Sequence, residues 1–343
     1  MSLILQEIRT LFEQSKRLIY LDPPESLRLA KEATLLLTPD LDPAFRVAVF
    51  FQYIEMLMAF GRIHEGLALL HSVLIIAETE NLEAERGNLL YNLGIAHYTT
   101  GDFSTAIEYW SDCLNLDNTG FSTETRVNAY ISLGQLYFAF HLPEDALRHH
   151  HTALKWLKTG APIKPELHKE LYVRVLINLV ADLYELKQLE EAIAHLDEAE
   201  LLAQEIGHLE YQGEALSYRT LILLEQGRLD EVTQFLQRGH SMERYWAWGE
   251  ICWKIASGKL LQAKNQHQQA IDVFHQALDL SESYDCRSKI HVVHAILASA
   301  YDQLGETSKA EQHHRLYQAH FNRLGSPEIF ARLQQLESQL ENT

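Results

Sequence analysis

The chain has 343 residues, of which 47% are apolar and 22% are charged, so it has enough apolar residues for a large core and is not generally disordered. Twenty-nine basic residues against 47 acidic ones give a net charge of −18, which repels nucleic-acid phosphates and anionic lipid. We therefore expect no nucleic acid and no membrane as a partner.

The N-terminal segment does not have the pattern of a secretory signal. Glu7 and Arg9 follow closely behind a short apolar run, whereas a signal sequence needs a longer uninterrupted one. No segment approaches the ~18–20 apolar residues of a membrane span. The cysteines, Cys113, Cys252 and Cys286, are few and far apart, which indicates a reducing compartment. These features predict a cytoplasmic protein.

An internal repeat runs along most of the chain. Its clearest copies, residues 92–114 and 132–154, have a Leu-Gly pair, an aromatic residue or His, a short turn, and then Ala, a bulky residue and a small residue. Aligning on the turn gives steps of 40, 40, 46, 40, 38 and 40 residues. The turn residues are Gly61, Gly101, His141, Lys187, Gly227, Asn265 and Gly305. Such spacing predicts an array of similar helical hairpins.

The helix that follows each turn has three repeated positions, spaced i, i+4 and i+7, which fall on one face. The first is small: Gly66, Ala106, Ala146, Ala192, Val232, Ala270 and Ala310. The second is bulky: Leu70, Trp110, His150, Leu196, Leu236, Phe274 and His314. The third is mostly small, with Cys113, Ala153, Ala199, Gly239 and Ala277, and a degenerate first copy places Ser26, Ala30 and Ala33 at equivalent positions. Small residues here allow close approach of the two helices of a hairpin, and the bulky residue fills the gap between them.

The pattern resembles the tetratricopeptide repeat (TPR) over residues 3–320. The resemblance implies an all-α, right-handed α-solenoid of about eight TPR-like hairpins, with helix above 70% and no strand. The ~40-residue period is similar to the variant in LGN-type scaffolds, kinesin light chains, Rap-type peptide receptors and the N-terminal sensory regions of bacterial diguanylate cyclases. The Leu-Gly pair is missing in three repeats, which have Tyr53-Ile54, Arg219-Thr220 and Ser257-Gly258 instead.

Proline positions agree with helix ends. All eight, Pro23, Pro24, Pro39, Pro43, Pro143, Pro162, Pro165 and Pro327, fall at predicted ends or loops, where the missing N–H costs nothing. The single step of 46 residues is explained by a loop insertion within residues 159–169, which we interpret as a tolerated surface insertion.

No catalytic motif is recognisable in the sequence. It contains no phosphate-binding loop, nucleophile elbow or zinc-protease motif, so we expect no enzyme and no cofactor. His149, His150 and His151 are consecutive on a helix and point about 100° apart, so they cannot share a metal. His291 and His294 share a face but lack a carboxylate or cysteine pattern, so no metal site is expected either.

The resemblance also implies a binding groove, because the first helix of each TPR hairpin lines the concave surface. Amides at such positions hydrogen-bond a peptide backbone, and aromatics give it apolar anchors. The matching positions are Asn88, Tyr91, Asn92, Ile95 and Tyr98 in repeat three, Asn128, Ile131, Gln135 and Phe138 in repeat four, and Arg174, Ile177, Asn178 and Tyr184 in repeat five. The alternative is that the aromatics pack between hairpins.

One TPR partner class is disfavoured. The Lys/Asn set with which chaperone-cofactor repeats hold a C-terminal carboxylate is replaced by Tyr91, Ile131 and Ile177. Together with the absence of catalytic motifs, the resemblance implies non-catalytic binding of another protein or peptide by a regulatory module in bacterial signalling.

The C-terminal segment forms a separate helix. We divide the chain into a solenoid, residues 1–324, and a capping or connector helix, residues 325–343. Its apolar residues Ile329, Leu333, Leu336 and Leu340 step by 4, 3 and 4, as in a coiled-coil seam. It either shields the last repeat or resembles the connector to an output domain such as a diguanylate cyclase, and a homodimer through it is a further expectation. In the connector case the chain is a sensory domain that controls an attached or partner signalling enzyme.

Overall fold

The computed structural model describes residues 3–116, 122–240 and 247–341. The chain is 85% helical, and no strand occurs in those ranges. The all-α prediction is confirmed. Every helix in the described ranges is too short or too polar to cross a bilayer.

The helices pair in chain order as antiparallel hairpins, followed by a single helix. The pairs are α1 (Leu3–Leu18) and α2 (Pro23–Leu35), α3 (Pro43–Ala59) and α4 (Ile63–Thr79), α5 (Glu83–Thr99) and α6 (Phe103–Asn115), α7 (Thr123–Ala139) and α8 (Pro143–Thr159), α9 (Pro165–Glu185) and α10 (Leu189–Glu205), α11 (Leu209–Glu225) and α12 (Leu229–His240), α13 (Ala247–Ala263) and α14 (His267–Ser283), and α15 (Arg287–Gln303) and α16 (Thr307–Leu324). The last helix is α17 (Pro327–Glu341). These are the eight hairpins that the repeat predicts.

The turn register is confirmed by the backbone. All seven predicted turn residues have a positive φ, between 58° and 76°, which ends the first helix of each hairpin. Three of them, His141, Lys187 and Asn265, adopt this conformation without being glycine. The prolines also behave as predicted, since Pro43, Pro143 and others begin helices, where no N–H is needed.

The bulky residue of each second helix packs on the first helix of its own hairpin. A Cβ atom added to Gly94 would lie 2.1 Å from Nε1 of Trp110, and one added to Gly134 would lie 2.2 Å from Nε2 of His150. Glycine is required at these positions because only its bare backbone lets the large ring lie so close. This contact explains the Leu-Gly pair of repeats three and four.

The predicted second-helix positions are buried, with few exceptions. The small residue five positions after the turn is buried in all seven repeats. At the bulky position, Leu236 is only half-buried and His314 is exposed, so the prediction for His314 is wrong. Its neighbour His313 is buried instead, stacked on Tyr301 at 5.4 Å. Gly239 lies outside the described side chains.

The 46-residue step has a different origin from the predicted loop insertion. The helix α9 has 21 residues, whereas α7 has 17. The connection before it, residues 160–164, is only slightly longer than others, such as residues 206–208. Most of the extra length is therefore one added helical turn at the start of α9.

Late repeats pack against early ones, so the superhelix closes on itself. A Cβ at Gly61 would lie 2.3 Å from Cδ1 of Tyr284, and Nε2 of His64 lies 3.0 Å from Oδ2 of Asp285. The ring of His141 lies 5.2 Å from that of Phe321. These contacts bring the turns of repeats two and four against the C-terminal hairpins.

The C-terminal helix α17 packs on α6 and α7, in the middle of the chain. Its four seam residues, Ile329, Leu333, Leu336 and Leu340, are all buried. The hydroxyl of Tyr137 donates to Glu337 at 2.7 Å. Pairing of two copies through this seam would first have to detach α17 from α6 and α7.

Candidate functional site

The groove predicted from the repeat lies on the first helices of three hairpins, α5, α7 and α9. Most of its side chains are half-buried, as expected for a lined groove: Tyr91, Asn92, Ile95, Asn128, Gln135, Phe138, Arg174 and Asn178. Asn88 is exposed, and the predicted Ile131 and Ile177 are buried in the core.

A polar network joins the three repeats. The guanidinium of Arg174 donates to Oδ1 of Asn128 and lies 5.7 Å from the ring centroid of Tyr91. Nδ2 of Asn178 donates to the carbonyl of Arg174 at 2.8 Å, and Nε2 of Gln135 donates to Oδ1 of Asn178 at 3.5 Å. Five predicted groove residues are therefore in one connected set.

Arg174 is held within this set. Burial opposes its charge, but Tyr91, Tyr211, Glu170 and Glu124 outweigh that effect and keep its pKa above the ordinary value. As one of the predicted groove positions, Arg174 would be available to a partner. The structure instead engages it with Asn128, as a hydrogen-bond acceptor, and with the ring of Tyr91.

The predicted aromatic anchors divide into two kinds. Tyr98 and Tyr184 are buried, and their hydroxyls donate to the carbonyl of Gln135 at 3.4 Å and to Glu225 at 3.2 Å. Tyr98 and Tyr184 therefore pack between neighbouring hairpins, which was the alternative to contact with a partner. Tyr91 and Phe138 are half-buried and remain candidates for partner contact.

A ladder of carboxylates accompanies the groove. Glu124, Glu170 and Glu210 each lie 17 residues before the turn of successive repeats, one helical turn before Asn128, Arg174 and Glu214. Neighbouring members act on each other electrostatically. The ladder was not predicted from the sequence. Counting four residues back from Asn128 and Arg174, and repeating the count in the next repeat, would have identified Glu124, Glu170 and Glu210.

The acidic residues face each other across the inside of the superhelix. Burial raises the pKa of Glu210 to about 8, and the charges of Glu214, Glu55 and Glu170 add to the effect. Burial likewise raises the pKa of Glu214 to about 7. Because Glu55 belongs to repeat two and Glu210 to repeat six, acidic residues of distant repeats share the interior of the superhelix, which is an acidic channel.

Aromatic rings close one side of this channel. The ring of Tyr20, in repeat one, lies 4.9 Å from that of His208, which stacks on Tyr211 at 3.8 Å. Burial lowers the pKa of His208 to about 4, so it is neutral near pH 7.

A cleft of about 300 Å³ opens between repeats three and four. It is lined by α5, α6 and α7 and includes three predicted groove residues, Asn88, Tyr91 and Asn128. The helix α6 ends at Asn115, beside this cleft. The hydroxyl oxygen of Tyr91 is buried and has no hydrogen-bond partner among the described residues.

A histidine and an aspartate come close together in the core of the solenoid. His150 and Asp182 form a close pair, but they are 1% and 0% exposed, so no substrate could reach them. Within the described part of the chain, no group of three or more His, Cys, Asp or Glu side chains is placed to hold a metal ion.

Comparison with known proteins identifies the fold. No protein-family model and no curated protein matches the sequence. A Rap protein complexed with Competence and Sporulation Factor is 14% identical, covers 93% of this chain and 99% of its own, and has a TM-score of 0.56. NprR in complex with its cognate peptide NprX is 13% identical over 98% of both chains, with a TM-score of 0.55. The Cut9 and Hcn1 hetero-tetramer of the APC/C is 15% identical over 96% of this chain and 55% of that chain, with a TM-score of 0.56. At these identities the similarity shows the fold alone, a TPR-type helical solenoid.

Proposed function

We propose that this chain is a non-catalytic, cytoplasmic regulatory module of bacterial signalling that binds a peptide or protein partner in the groove of repeats three to five. The observation that carries the proposal is the connected network of Tyr91, Asn128, Gln135, Arg174 and Asn178. It presents amide and guanidinium groups in a fixed geometry along three repeats, as recognition of an extended backbone requires.

Two of the solved structures with this fold support the proposal. One contains a Rap protein with Competence and Sporulation Factor, and the other contains NprR with its peptide NprX. A superhelix of this kind therefore accommodates a bound peptide. The acidic channel in the present chain favours a partner without excess negative charge.

The test is selection of peptides on the immobilised protein from a random library, followed by calorimetric titration of the peptides that bind. Asn88→Ala removes an exposed groove amide and should weaken binding at least fivefold. Glu191→Ala, on the exposed face of α10, is the control and should change nothing. Equal affinity for both variants and the unmodified chain would place the binding site elsewhere.

A second candidate is a sensory domain that controls an attached or partner signalling enzyme, such as a diguanylate cyclase. The observation favouring it is that α17 is bonded to the groove repeats, through Tyr137 and Arg148 to Glu337. We propose that residues 1–324 bind the partner and that residues 325–343 transmit its binding. A selected peptide should then change amide exchange in α17, and unchanged exchange would argue against this role.

A further inference from the structure

Six histidines gather where the last hairpins of the chain pack together and against repeat four. Five belong to α14, α15 and α16, and the sixth is the turn residue of repeat four: His275, His291, His294, His313, His320 and His141. Each ring centroid lies no more than 6.0 Å from that of another member. We call this set the histidine cluster, and it is separate from the groove and from the acidic channel.

His291 is enclosed in a way that suits only the neutral imidazole. It is 1% exposed, and neither of its ring nitrogens has a hydrogen-bond partner in the described part of the chain. Its neighbours are the rings of His141 at 6.0 Å, Tyr317 at 6.4 Å and Phe321 at 6.1 Å. Protonation would add a charge and a second N–H to this enclosure, where neither would be compensated.

Two further members of the cluster cannot both be protonated as they stand. Nδ1 of His294 lies 3.0 Å from Nδ1 of His313, so one nitrogen donates a proton and the other accepts it with its lone pair. In two imidazolium rings both nitrogens would carry a proton, and the rings would repel each other at this distance. Both side chains are buried, and the ring of His275 lies 5.6 Å from that of His313.

The charged residues around the cluster do not favour added positive charge. Those that face it from α14, α15 and α16 are one acid and four bases: Glu282, Arg287, Lys289, Lys309 and Arg323. The ion pairs that histidines form in the described ranges all lie outside the cluster. A proton taken up by the cluster therefore meets repulsion from its surroundings.

This environment links protonation to the packing of the last hairpin. Burial lowers the pKa of His291 to about 3 and that of His294 to about 4, and the neighbouring histidines add to both effects. Burial lowers the pKa of His313 and His320 as well. Because the ordinary value is 6.5, the packing is at full strength above that pH and weakens as the pH falls. Each such histidine favours release about tenfold between pH 7.5 and pH 5.5.

The packing that would weaken includes the closure of the superhelix. The turns of repeats three and four sit on the last hairpin, with the ring of His141 5.2 Å from that of Phe321. A Cβ atom added to Gly101 would lie 3.1 Å from Cβ of Arg287 and 3.2 Å from Cδ2 of Leu324. Loss of the neutral cluster would therefore loosen the surface on which both turns rest.

We infer that the histidine cluster is a proton-sensitive clasp of the superhelix. With its histidines neutral, α15 and α16 hold the turn of repeat four, and proton uptake in mildly acidic solution releases that turn. The contact at repeat two responds in the opposite sense, because a protonated His64 strengthens its ion pair with Asp285, 3.0 Å away. The clasp acts on the shape of the superhelix and does not depend on what the groove binds.

The test follows the full chain between pH 7.5 and pH 5.5. Carbon-13 labelling of the histidine side chains reports the protonation of each imidazole, and amide hydrogen exchange, corrected for the intrinsic effect of pH, reports opening. We expect opening of α15, α16 and the turn of repeat four to increase on the order of a hundredfold at pH 5.5, together with protonation of the cluster. Exchange in α9 and α10 should stay unchanged, and the opening should reverse at pH 7.5.

His291→Phe keeps an aromatic ring in place and removes one site of protonation, so the gain in opening at pH 5.5 should fall about tenfold. The matched control is His151→Phe, which removes an exposed histidine of α8 and should leave the gain unchanged. Should His291→Phe fail to fold, the unmodified chain still decides the question. Cluster histidines that stay neutral at pH 5.5, or unchanged exchange in α15 and α16, would overturn the inference. Equal acceleration in every helix would mean ordinary acid unfolding and would overturn it as well.

Discussion

Nδ1 of His150 lies 2.5 Å from Oδ2 of Asp182, in a fully buried contact between repeats four and five. The other ring nitrogen, Nε2, donates to the carbonyl of Ile131 at 3.3 Å, since a carbonyl only accepts. The proton between His150 and Asp182 must therefore be present, whichever of the two holds it. His150 occupies the bulky position, where the other repeats have Leu, Trp, Phe or His.

Removal of one member of this pair should be strongly destabilising. His150→Phe leaves the carboxylate of Asp182 buried without a partner, which costs about 3–5 kcal/mol of unfolding free energy. The double variant His150→Phe with Asp182→Leu should recover most of that loss, because both polar groups are gone. Urea unfolding of the four proteins in a double-mutant cycle measures the coupling. Additive effects would show that the pair does not interact.

Overfilling a close helix contact tests the repeat register. Ala106 is fully buried at the small position of α6, so Ala106→Trp should cost about 1–3 kcal/mol or more. Asp112→Trp adds a similar bulk to an exposed position of the same helix and serves as the control. Thermal unfolding should show a lower Tm for the first variant only. Equal melting points would mean that the register is wrong.

The acidic channel should make stability depend on pH. The carboxyl of Glu210 has a folded pKa of about 8 against an ordinary 4.5, so the folded chain retains a proton that the unfolded chain releases. Its contribution to stability therefore falls as the pH rises from about 4.5 to 8. Glu210→Gln should stabilise the chain on the order of 1–2 kcal/mol at pH 8 and leave it unchanged at pH 4. Unfolding free energies at both pH values, with Glu144→Gln as the control, measure this difference, and an equal gain at both would contradict it.

The network at Arg174 changes the expectation for Asn128. As a groove residue facing water, Asn128 would be replaceable without loss of stability. Because it accepts a hydrogen bond from the half-buried Arg174, Asn128→Ala should cost about 1 kcal/mol of stability and also weaken partner binding by about 1–3 kcal/mol. Asn88→Ala, an exposed amide at the same register, should keep its stability. Equal unfolding curves for the two variants would show that the Arg174 contact contributes nothing.

Local repetition made most of the fold predictable. The turn residue and the small and bulky positions are set by contacts within one hairpin, such as Trp110 on Gly94, so each repeat carries its own signal. The acidic residues that face each other across the acidic channel are not marked by any pattern within one hairpin. Glu55 and Glu210 approach each other only because the superhelix closes, and hydrophobic periodicity in one helix does not report that curvature.

The location of α17 was unpredictable for the same reason. Its seam of Ile329, Leu333, Leu336 and Leu340 indicates an apolar face but not which surface covers it. From chain order alone, the last repeat would be the expected neighbour of α17. Because the superhelix closes, α17 contacts α6 and α7 instead. His314, in the last repeat, is also exposed, although its position in the repeat predicted burial.

Leu336→Ala tests whether α17 braces the middle of the chain. Leu336 is fully buried, so its truncation should cost about 2–5 kcal/mol locally through lost burial and the cavity it leaves. Because α17 packs on α6 and α7, amide hydrogen exchange should accelerate in α6, α7 and α17 and stay unchanged in α16. Gln334→Ala, on the exposed side of the same helix, controls for changes in helix propensity. Faster exchange confined to α16 and α17 would mean that the helix caps the last repeat in solution, and the connection between the groove repeats and the C-terminal helix would be lost with it.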